Sequence, residues 1–224
     1  MGKGMHPEPA SPTNFFALPE GTELIGEFRI KRVLGAGGFG ITYLASETAL
    51  ARDVTIKEYF PLDYAARGAS GDVTPRSSDS VKDYQWGLER FMEEAQTLAR
   101  FTHPNIVRVY RCFRARDTGY MVLHFEEGGS FKAWLRQLQR APRQGELDRI
   151  VAPLLDALDV VHAGNYLHRD IAPDNIIIRK DGEPVLIDFG SGARSICRQA
   201  AIDCGRSPIS SRSARSTAAR KPCR

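Results

Sequence analysis

The residues best suited to chemistry lie in two short runs towards the carboxyl end of the sequence. Residues 168–175 read HRDIAPDN, and residues 188–190, which read DFG, begin thirteen positions after Asn175. A loop carboxylate such as Asp170 can orient an attacking hydroxyl or accept its proton. The amide oxygen of Asn175 and the carboxylate of Asp188 can together hold Mg²⁺ against phosphates. Each residue alone is explained as a turn residue or a solvated charge, but their co-occurrence in this order favours phosphoryl transfer.

A glycine-rich segment earlier in the chain is suited to binding phosphates. Residues 35–40 read GAGGFG, which places Gly35, Gly37 and Gly40 in the spacing G-x-G-x-x-G. Glycines let the backbone approach a polyphosphate without a Cβ clash and adopt positive φ. A hairpin turn explains the pattern about as well, and a dinucleotide-binding Rossmann unit requires a helix directly after it. The residues that follow, ITYLA, predict a second strand instead, which argues against the Rossmann interpretation.

A lysine and a glutamate complete the set of candidate residues. Lys57 ends the short apolar strand 54–57, seventeen residues after Gly40, and Glu94 lies beside the apolar stripe of the next helix. A lysine at a strand end is usually only a solvated charge. A Lys57–Glu94 pair would aim an ammonium group at phosphate oxygens and fix the position of the helix.

Hydrophobic periodicity predicts the elements that position these residues. Alternation around the glycine cluster predicts a hairpin over 27–44, and spacings of three and four predict a helix over 84–98 that stops before His103 and Pro104. Residues 61–80 are rich in turn formers and predict a surface insertion. Further strands are predicted over 106–109 and 120–125, helices over 131–138 and 147–162, and a hairpin over 176–187. This order indicates an α+β fold with two lobes.

Composition limits the possible classes of protein. The chain has 224 residues, 42% of them hydrophobic and 26% charged, with a formal charge of +4, which suits one large domain or two small lobes. These values exclude collagen-like, wholly disordered and disulfide-scaffold proteins. The sequence contains no apolar run of about 18 residues. Residues 1–20 lack the apolar core of a secretory signal and are expected to form a disordered leader. Together with only four cysteines, these features predict a cytoplasmic protein.

The last 34 residues differ from the rest in charge. Residues 191–224 contain eight basic residues and one acidic residue, which leaves 23 basic and 26 acidic residues in 1–190. With few large apolar side chains, the segment is expected to be a disordered basic tail. Binding of nucleic acid is not expected, because no aromatic residues interleave with the charges. The abrupt change in composition also suggests the hypothesis that the tail is the product of a frameshift.

Together the motifs resemble the eukaryotic-type protein kinase family, in the serine/threonine form that also occurs in bacteria. The resemblance covers about residues 21–190 and rests on GAGGFG, VTIKE, EEAQTLARFTHPNIV, MVLHFEEGGS, HRDIAPDN and LIDFG. It implies a protein-kinase-like α+β fold with a complete N-lobe at about 27–125, an antiparallel sheet plus one long helix. Only the first part of a helical C-lobe is expected, at about 126–190. ATP and Mg²⁺ are the implied cofactors, and a protein carrying a Ser or Thr hydroxyl is the implied partner.

The resemblance also implies a role for each matching residue. The glycines cover the ATP phosphates, Lys57 contacts the α- and β-phosphates and pairs with Glu94, Asp170 is the catalytic base, and Asn175 and Asp188 bind Mg²⁺. The implied adenine site is formed by Leu34, Thr42, Thr55, Leu123, Glu126 and Ile177. Leu123 takes the gatekeeper position, and Glu126 offers backbone groups of the hinge between the lobes. The residues implied to stack as a hydrophobic spine are Leu98, Val109, His168 and Phe189.

Two departures from the family pattern leave two functions open. Ala172 stands where serine/threonine kinases usually have a lysine that contacts the transferred phosphate. No Ala-Pro-Glu follows residues 188–190, and the expected C-lobe is incomplete, so Leu154, Leu155 and Leu158 are expected to face water on one side. One function is an ATP-dependent serine/threonine protein kinase. The alternative is a catalytically inactive, truncated kinase homologue that binds a nucleotide or a partner. The oligomeric state and the substrate's identity are not predicted.

Overall fold

The computed structural model describes residues 16–189. The first 15 residues of the predicted leader and the predicted basic tail lie outside the described residues. No helix within the described part of the chain is long and apolar enough to cross a bilayer.

Eleven strands and three α-helices make up the described residues. The strands are β1 (Glu23–Leu24), β2 (Phe28–Gly37), β3 (Gly40–Glu47), β4 (Arg52–Tyr59), β5 (Ala65–Arg67), β6 (Val73–Pro75), β7 (Val109–Ala115), β8 (Thr118–His124), β9 (Gly128–Ser130), β10 (Ile176–Arg179) and β11 (Pro184–Leu186). The helices are α1 (Ser80–Leu98), α2 (Phe131–Leu138) and α3 (Gln144–Ala163). Residues 16–125 are called the N-lobe and residues 126–189 the C-lobe. This arrangement confirms the predicted α+β fold with two lobes.

The N-lobe is built on a six-stranded antiparallel sheet in the order β1-β2-β3-β4-β8-β7. Helix α1 packs against it through one apolar stripe, whose buried members are Tyr84, Leu88, Phe91, Ala95 and Leu98. Gly87 lies in the same stripe, and a Cβ at this position would lie 2.2 Å from the hydroxyl oxygen of Tyr59. The missing side chain therefore lets the helix approach the end of β4 closely. The predicted helix is confirmed, and it begins four residues earlier than its apolar stripe.

The insertion over 61–80 is more ordered than its composition indicates. It contains the antiparallel pair β5–β6, and both Ala65 and Val73 are fully buried. The residues before β1 belong to the same layer, because Leu18 is buried and the ring of Phe16 stacks on Phe60 at 5.9 Å. The predicted boundary of the leader at residue 20 is therefore too late. Composition missed this packing because the contacts join residues more than forty positions apart.

The C-lobe contains a three-stranded sheet in the order β11-β10-β9, with α2 and α3 beside it. The N-lobe reaches this sheet through residues 105–107, where the Val107 amide donates to the Leu186 carbonyl at 2.9 Å. The strand predicted over 106–109 therefore begins only at Val109. On α3, Leu154 is buried, whereas Leu155 is 56% exposed. The expectation that Leu154, Leu155 and Leu158 all face water is thus wrong for Leu154, which is buried, while Leu158 is partly buried against the core.

Candidate active site

A cavity of about 830 Å³ lies between the N-lobe sheet and the C-lobe sheet. Its size lies within the range of small-molecule sites in proteins. All but one of the predicted site residues line it: Leu34, Gly35, Gly37, Gly40, Thr42, Thr55, Lys57, Leu123, Glu126, Asp170, Asn175, Ile177 and Asp188. The exception is Glu94, which is buried on α1. The fold thus brings residues from five separate stretches of the chain into one place.

The glycine segment forms the turn between β2 and β3 and covers one side of the cavity. A Cβ at Gly40 would lie 2.4 Å from the carbonyl oxygen of Glu58, so a side chain at this position would push β3 away from β4. A Cβ at Gly35 or Gly37 would meet no atom within 4 Å, so the space beside the turn is open. Backbone groups of this turn can therefore come close to a ligand in the cavity.

The side chain of Lys57 points into the cavity from β4. Its ammonium nitrogen lies 2.5 Å from a carboxylate oxygen of Asp188, a pair that links the two lobes. Burial lowers the pKa of Lys57, but the charges of Asp188 and Glu94 raise it more, so the group stays protonated at neutral pH. Lys57 therefore forms an ion pair with Asp188, and the charge of Glu94 acts on the same ammonium group.

Asp170 and Asn175 are held together at the floor of the cavity. A short 3-10 turn over Pro173–Asn175 brings the amide nitrogen of Asn175 to 3.0 Å from the Asp170 carboxylate and 2.9 Å from its carbonyl oxygen. Because the amide donates towards Asp170, the amide oxygen of Asn175 points elsewhere. Arg169, directly before, has a φ of 63°. Left-handed backbone at a non-glycine residue is uncommon and is often found at active sites.

Beside Lys57, the cavity offers oxygen ligands for a metal ion. Asn175 contributes an amide oxygen and Asp188 a carboxylate, which are the kinds of ligand that Mg²⁺ prefers. Among residues 16–189, no three His, Cys, Asp or Glu side chains are arranged to hold a metal ion by themselves. Protein sites for Mg²⁺ in phosphoryl-transfer enzymes commonly use one or two carboxylates, with phosphate oxygens and water as the other ligands. The side chains present therefore fit a Mg²⁺ ion that arrives with a polyphosphate.

The other end of the cavity is apolar and lies beside the connection between the lobes. Leu123 is buried on β8 and pairs in register with Thr55 on β4. Ile177 on β10 faces this space from the C-lobe, and Leu34 on β2 faces it from the N-lobe. Glu126 directs its carboxylate away to Arg179, whose guanidinium donates to it at 2.6 and 3.2 Å. Apolar side chains from both lobes therefore face each other at this end of the cavity.

The four residues implied to form a spine are all buried, Leu98 and Val109 in the N-lobe and His168 and Phe189 in the C-lobe. Each is less than 10% exposed, and the rings of His168 and Phe189 lie 4.3 Å apart. Burial lowers the pKa of His168, although the charges of Asp188 and Asp170 partly oppose this effect. The imidazole is therefore neutral at neutral pH. It serves as an apolar packing group rather than as a charged one.

Sequence reasoning missed several residues of the cavity wall. Val107, Ser130 and Asp174 are the clearest examples. Asp174 also receives a hydrogen bond at 2.6 Å from Lys132 on α2. The position of Asp174 beside Asn175 was the only available signal for it. No signal in the sequence indicated Val107 or Ser130. These residues reach the cavity only because residues 105–107 and β9 pair with strands of the C-lobe sheet.

Comparison with known proteins agrees with this geometry. The family profile described as protein kinase domain matches residues 28–203. The chain belongs to the protein kinase family. Serine/threonine-protein kinase PknA of Nostoc is 33% identical over 178 residues, which cover 77% of this chain and 29% of PknA. Serine/threonine-protein kinase PrkC of Bacillus subtilis is 31% identical over 170 residues, which cover 76% of this chain and 23% of PrkC.

Solved structures of kinase domains resemble the fold. The apo form of PpkA-294 is 37% identical, with a TM-score of 0.77, and the match covers 85% of this chain and 67% of that one. The kinase domain of Mycobacterium tuberculosis PknI is 24% identical with a TM-score of 0.60, and the match covers 78% of this chain and 64% of that one; this likeness concerns the fold alone. The chain spans less than a third of the length of PknA and PrkC. Protein kinases in general use ATP and Mg²⁺.

Proposed function

We propose that this chain binds Mg-ATP in the cavity between the lobes and transfers the γ-phosphate to a serine or threonine hydroxyl of a protein. The observation that carries this proposal is the meeting of Lys57, Asp170, Asn175 and Asp188 in one cavity beneath a glycine turn. Membership of the protein kinase family supports the same reaction class. Each group has the charge and hydrogen-bonding character that phosphoryl transfer needs.

The apolar end of the cavity is the proposed place for adenine. Its ring would lie between Leu34 and Ile177, next to Leu123, with Thr42 and Thr55 on the N-lobe side. Backbone groups around Glu126 would hydrogen-bond the ring. The phosphates would then extend under the turn that contains Gly35, Gly37 and Gly40. This orientation places the negatively charged end of the nucleotide beside Lys57.

The reactive end of the cavity is proposed to work through four side chains. The ammonium group of Lys57 would bind phosphate oxygens, and these would partly replace the Asp188 carboxylate as its ionic partner. Asp188 and Asn175 would then hold Mg²⁺, which neutralises charge on the phosphates. The Asp170 carboxylate would orient the substrate hydroxyl and receive its proton. The hydroxyl oxygen forms a bond to the γ-phosphorus as the bond between that phosphorus and the β–γ bridging oxygen breaks, which releases ADP.

A second function, binding of a nucleotide or a partner without phosphoryl transfer, is favoured by one residue. Ala172 lies in the catalytic loop where serine/threonine kinases usually carry a lysine, so no ammonium group comes from this position. Loss of one positive charge at the transferred phosphate would slow the chemical step more than it weakens binding of the nucleotide.

Two measurements on the purified chain separate these functions. Incorporation of labelled phosphate into a generic protein substrate, compared with the Asp170→Asn variant, tests transfer. Calorimetric titration with Mg-ATP tests binding. Transfer that falls at least a hundredfold in Asp170→Asn supports the kinase function. Binding without transfer supports nucleotide binding as the second function, and the absence of both contradicts kinase activity and nucleotide binding together.

A further inference from the structure

Lys57 and the residue after it project to opposite faces of β4. Lys57 points into the cavity, and Glu58 points to the other face, where it is fully buried. This alternation follows from the period of two in a β-strand. A buried carboxylate is unfavourable unless its oxygens are hydrogen-bonded and its charge is paired. The surroundings of Glu58 meet both conditions.

Four hydrogen bonds fill the acceptor sites of the Glu58 carboxylate. The Tyr120 hydroxyl donates to Oε1 at 2.7 Å, and the Tyr43 hydroxyl donates to Oε2 at 2.7 Å. The Arg67 guanidinium donates to the same two oxygens at 3.1 and 2.6 Å, which is a bidentate ion pair. We call Tyr43, Glu58, Arg67 and Tyr120 the Glu58 cluster. None of these side chains lies in the cavity wall.

Arg67 belongs to the insertion, and its other contacts tie further segments to the cluster. It donates to the Phe16 carbonyl and, at 2.9 Å, to the Gly71 carbonyl, and its guanidinium lies over the Phe60 ring. The Tyr43 hydroxyl also accepts a hydrogen bond from the Leu18 amide at 3.0 Å. The cluster therefore joins β3, β4 and β8 to the insertion and to the residues before β1.

The ionisation states of the cluster suit this arrangement. Burial raises the pKa of Tyr43 and of Tyr120, so both hydroxyls keep the protons that they donate. Burial lowers the pKa of Arg67, but its hydrogen bonds and charge pairing with Glu58 raise it more, so the guanidinium stays charged. At neutral pH the three side chains that donate to Glu58 therefore keep their protons.

The cluster lies next to Lys57 in all three strands that it joins. Lys57 pairs in register with Thr42 of β3 and with Met121 of β8. Tyr43 and Tyr120 are the immediate neighbours of these two residues. The hydrogen bonds to Glu58 thus hold the three strands together at the level of Lys57, on the face that is turned away from the cavity.

Stability alone does not account for such a network. A buried ion pair is often no more stabilising than apolar side chains of similar volume, but it defines one arrangement of its neighbours. A core of apolar residues would allow the strands to shift slightly against one another. The ammonium group of Lys57 must lie within hydrogen-bond distance of a phosphate, so a shift of about 1 Å matters there.

We propose that Arg67 is a positioning residue for the nucleotide: through Glu58 it holds β4 so that Lys57 points at the phosphates. The inference rests on the proposed function, because it assigns Lys57 to the phosphates of Mg-ATP. The insertion then has a definite task. It supplies the Arg67 guanidinium from outside the six-stranded sheet. The charge of this group fixes the position of β4, the strand that carries Lys57.

The test compares Arg67→Met with Arg114→Met in the full chain. Arg114 is the matched control, since it pairs with Glu89 on the surface, where both side chains are at least half exposed. Three quantities are measured: the melting temperature, the Kd for Mg-ATP by calorimetry well below that temperature, and amide hydrogen exchange in residues 52–59. Tyr43→Phe is added as a milder variant that keeps both charges of the cluster.

The expected results separate positioning from general stability. Arg67→Met lowers the melting temperature by about 10 °C, weakens binding of Mg-ATP by about tenfold and accelerates exchange in residues 52–59. Arg114→Met changes the Kd by less than about twofold. If Arg67→Met does not fold, Tyr43→Phe is expected to weaken binding by about threefold through the loss of one hydrogen bond.

Two outcomes overturn the inference. A folded Arg67→Met or Tyr43→Phe that binds Mg-ATP as tightly as the wild type shows that the cluster is only structural. Unchanged exchange in residues 52–59 shows that Arg67 does not hold β4 at all. Failure of the proposed function looks different, because the wild-type chain itself then binds no Mg-ATP. The exchange data decide in that case whether Arg67 positions the strand.

Discussion

The two lobes differ in how their apolar side chains are covered. In the N-lobe the exposed large apolar residues are scattered over four separate elements: Ile25, Leu34, Leu50 and Trp86. In the C-lobe they are concentrated on one helix and the loop after it: Val151, Leu155, Val160, Leu167 and Ile171. Helix α1 uses one apolar stripe, and the sheet covers it. On a second side of helix α3, Val151 and Leu155 stay exposed within residues 16–189, whereas Val160 is exposed on the opposite flank.

The N-lobe therefore covers most of its own apolar side chains, whereas the C-lobe leaves a group of them exposed. The N-lobe does so with its own sheet, α1 and the insertion, although its core is continuous with that of the C-lobe. Its buried carboxylate at Glu58 is also fully hydrogen-bonded. In the C-lobe, Ile150, Leu154, Ala157 and Val161 give α3 only one buried face. Exposed apolar residues gathered in one region favour association, whereas isolated ones do not.

The largest expected effect contrasts two neighbouring leucines of α3. Leu154→Ala should lower the free energy of unfolding by about 3 kcal/mol, because it leaves a cavity in packed surroundings. Leu155→Ala should change it by less than about 0.5 kcal/mol, since that side chain is 56% exposed. Urea denaturation followed by fluorescence measures both. Equal losses would show that the outer side of α3 is covered in solution, and the contrast between the lobes would then disappear.

The next effect tests the close packing of the N-lobe at Gly87. Gly87→Ala should lower the free energy of unfolding by about 2 kcal/mol, because the new methyl group would lie 2.2 Å from the Tyr59 hydroxyl. Gly145→Ala is the matched control in α3, where a Cβ meets no atom within 4 Å. That change should raise stability by about 0.5 kcal/mol, through helix propensity. A stabilising Gly87→Ala would mean that α1 can move away from β4 without loss.

A smaller effect concerns pH and the buried His168 of the C-lobe. Because burial lowers the pKa of His168, its neutral form favours the folded state, and this contribution is complete above the ordinary pKa of 6.5. It is lost as the pH falls below 6.5 towards the folded-state pKa, since the unfolded chain then binds a proton that the folded chain does not. The slope that it adds is at most about 1.4 kcal/mol per pH unit.

Melting temperatures measured between pH 8 and pH 5 check this behaviour. His168→Leu should flatten the profile below pH 6.5, whereas replacement of the exposed His162 by Gln should leave it as in the wild type. A profile of His168→Leu as steep as the wild-type one would assign the acid sensitivity to other groups. It would also weaken the description of His168 as an apolar packing group.

The smallest effect on stability, and the most direct test of the apolar side of α3, uses two exposed leucines. Leu155→Gln and Leu50→Gln should each change the free energy of unfolding by less than about 0.5 kcal/mol. Leu155→Gln should nevertheless slow aggregation, measured by light scattering, by about twofold, because it interrupts a patch. Leu50→Gln should not, because Leu50 is isolated. Equal effects of the two changes would contradict the idea of a patch.

Local patterns predicted most elements, but not how distant segments pack. The stripe of α1 and the alternation of the first strands are short-range features, and the structure has both. The insertion was predicted as a surface loop, yet it contains β5 and β6 with Ala65 and Val73 buried. Its order depends on Phe16, Phe60 and Glu58, which no window of local sequence places together. The sequence around Glu58 likewise does not indicate that its carboxylate is buried and accepts hydrogen bonds.

The sequence by itself determined which residues could perform phosphoryl transfer, because type and spacing along the chain carry that information. Gly40, Lys57, Asp170, Asn175 and Asp188 were all identified in this way, and all line one cavity. Only the tertiary structure decided their partners. Lys57 meets Asp188 across 131 positions, and Glu58 is satisfied by three side chains from three strands. Ion pairs and buried hydrogen bonds depend on distances of a few ångströms, which arise only when the lobes and the sheet have packed.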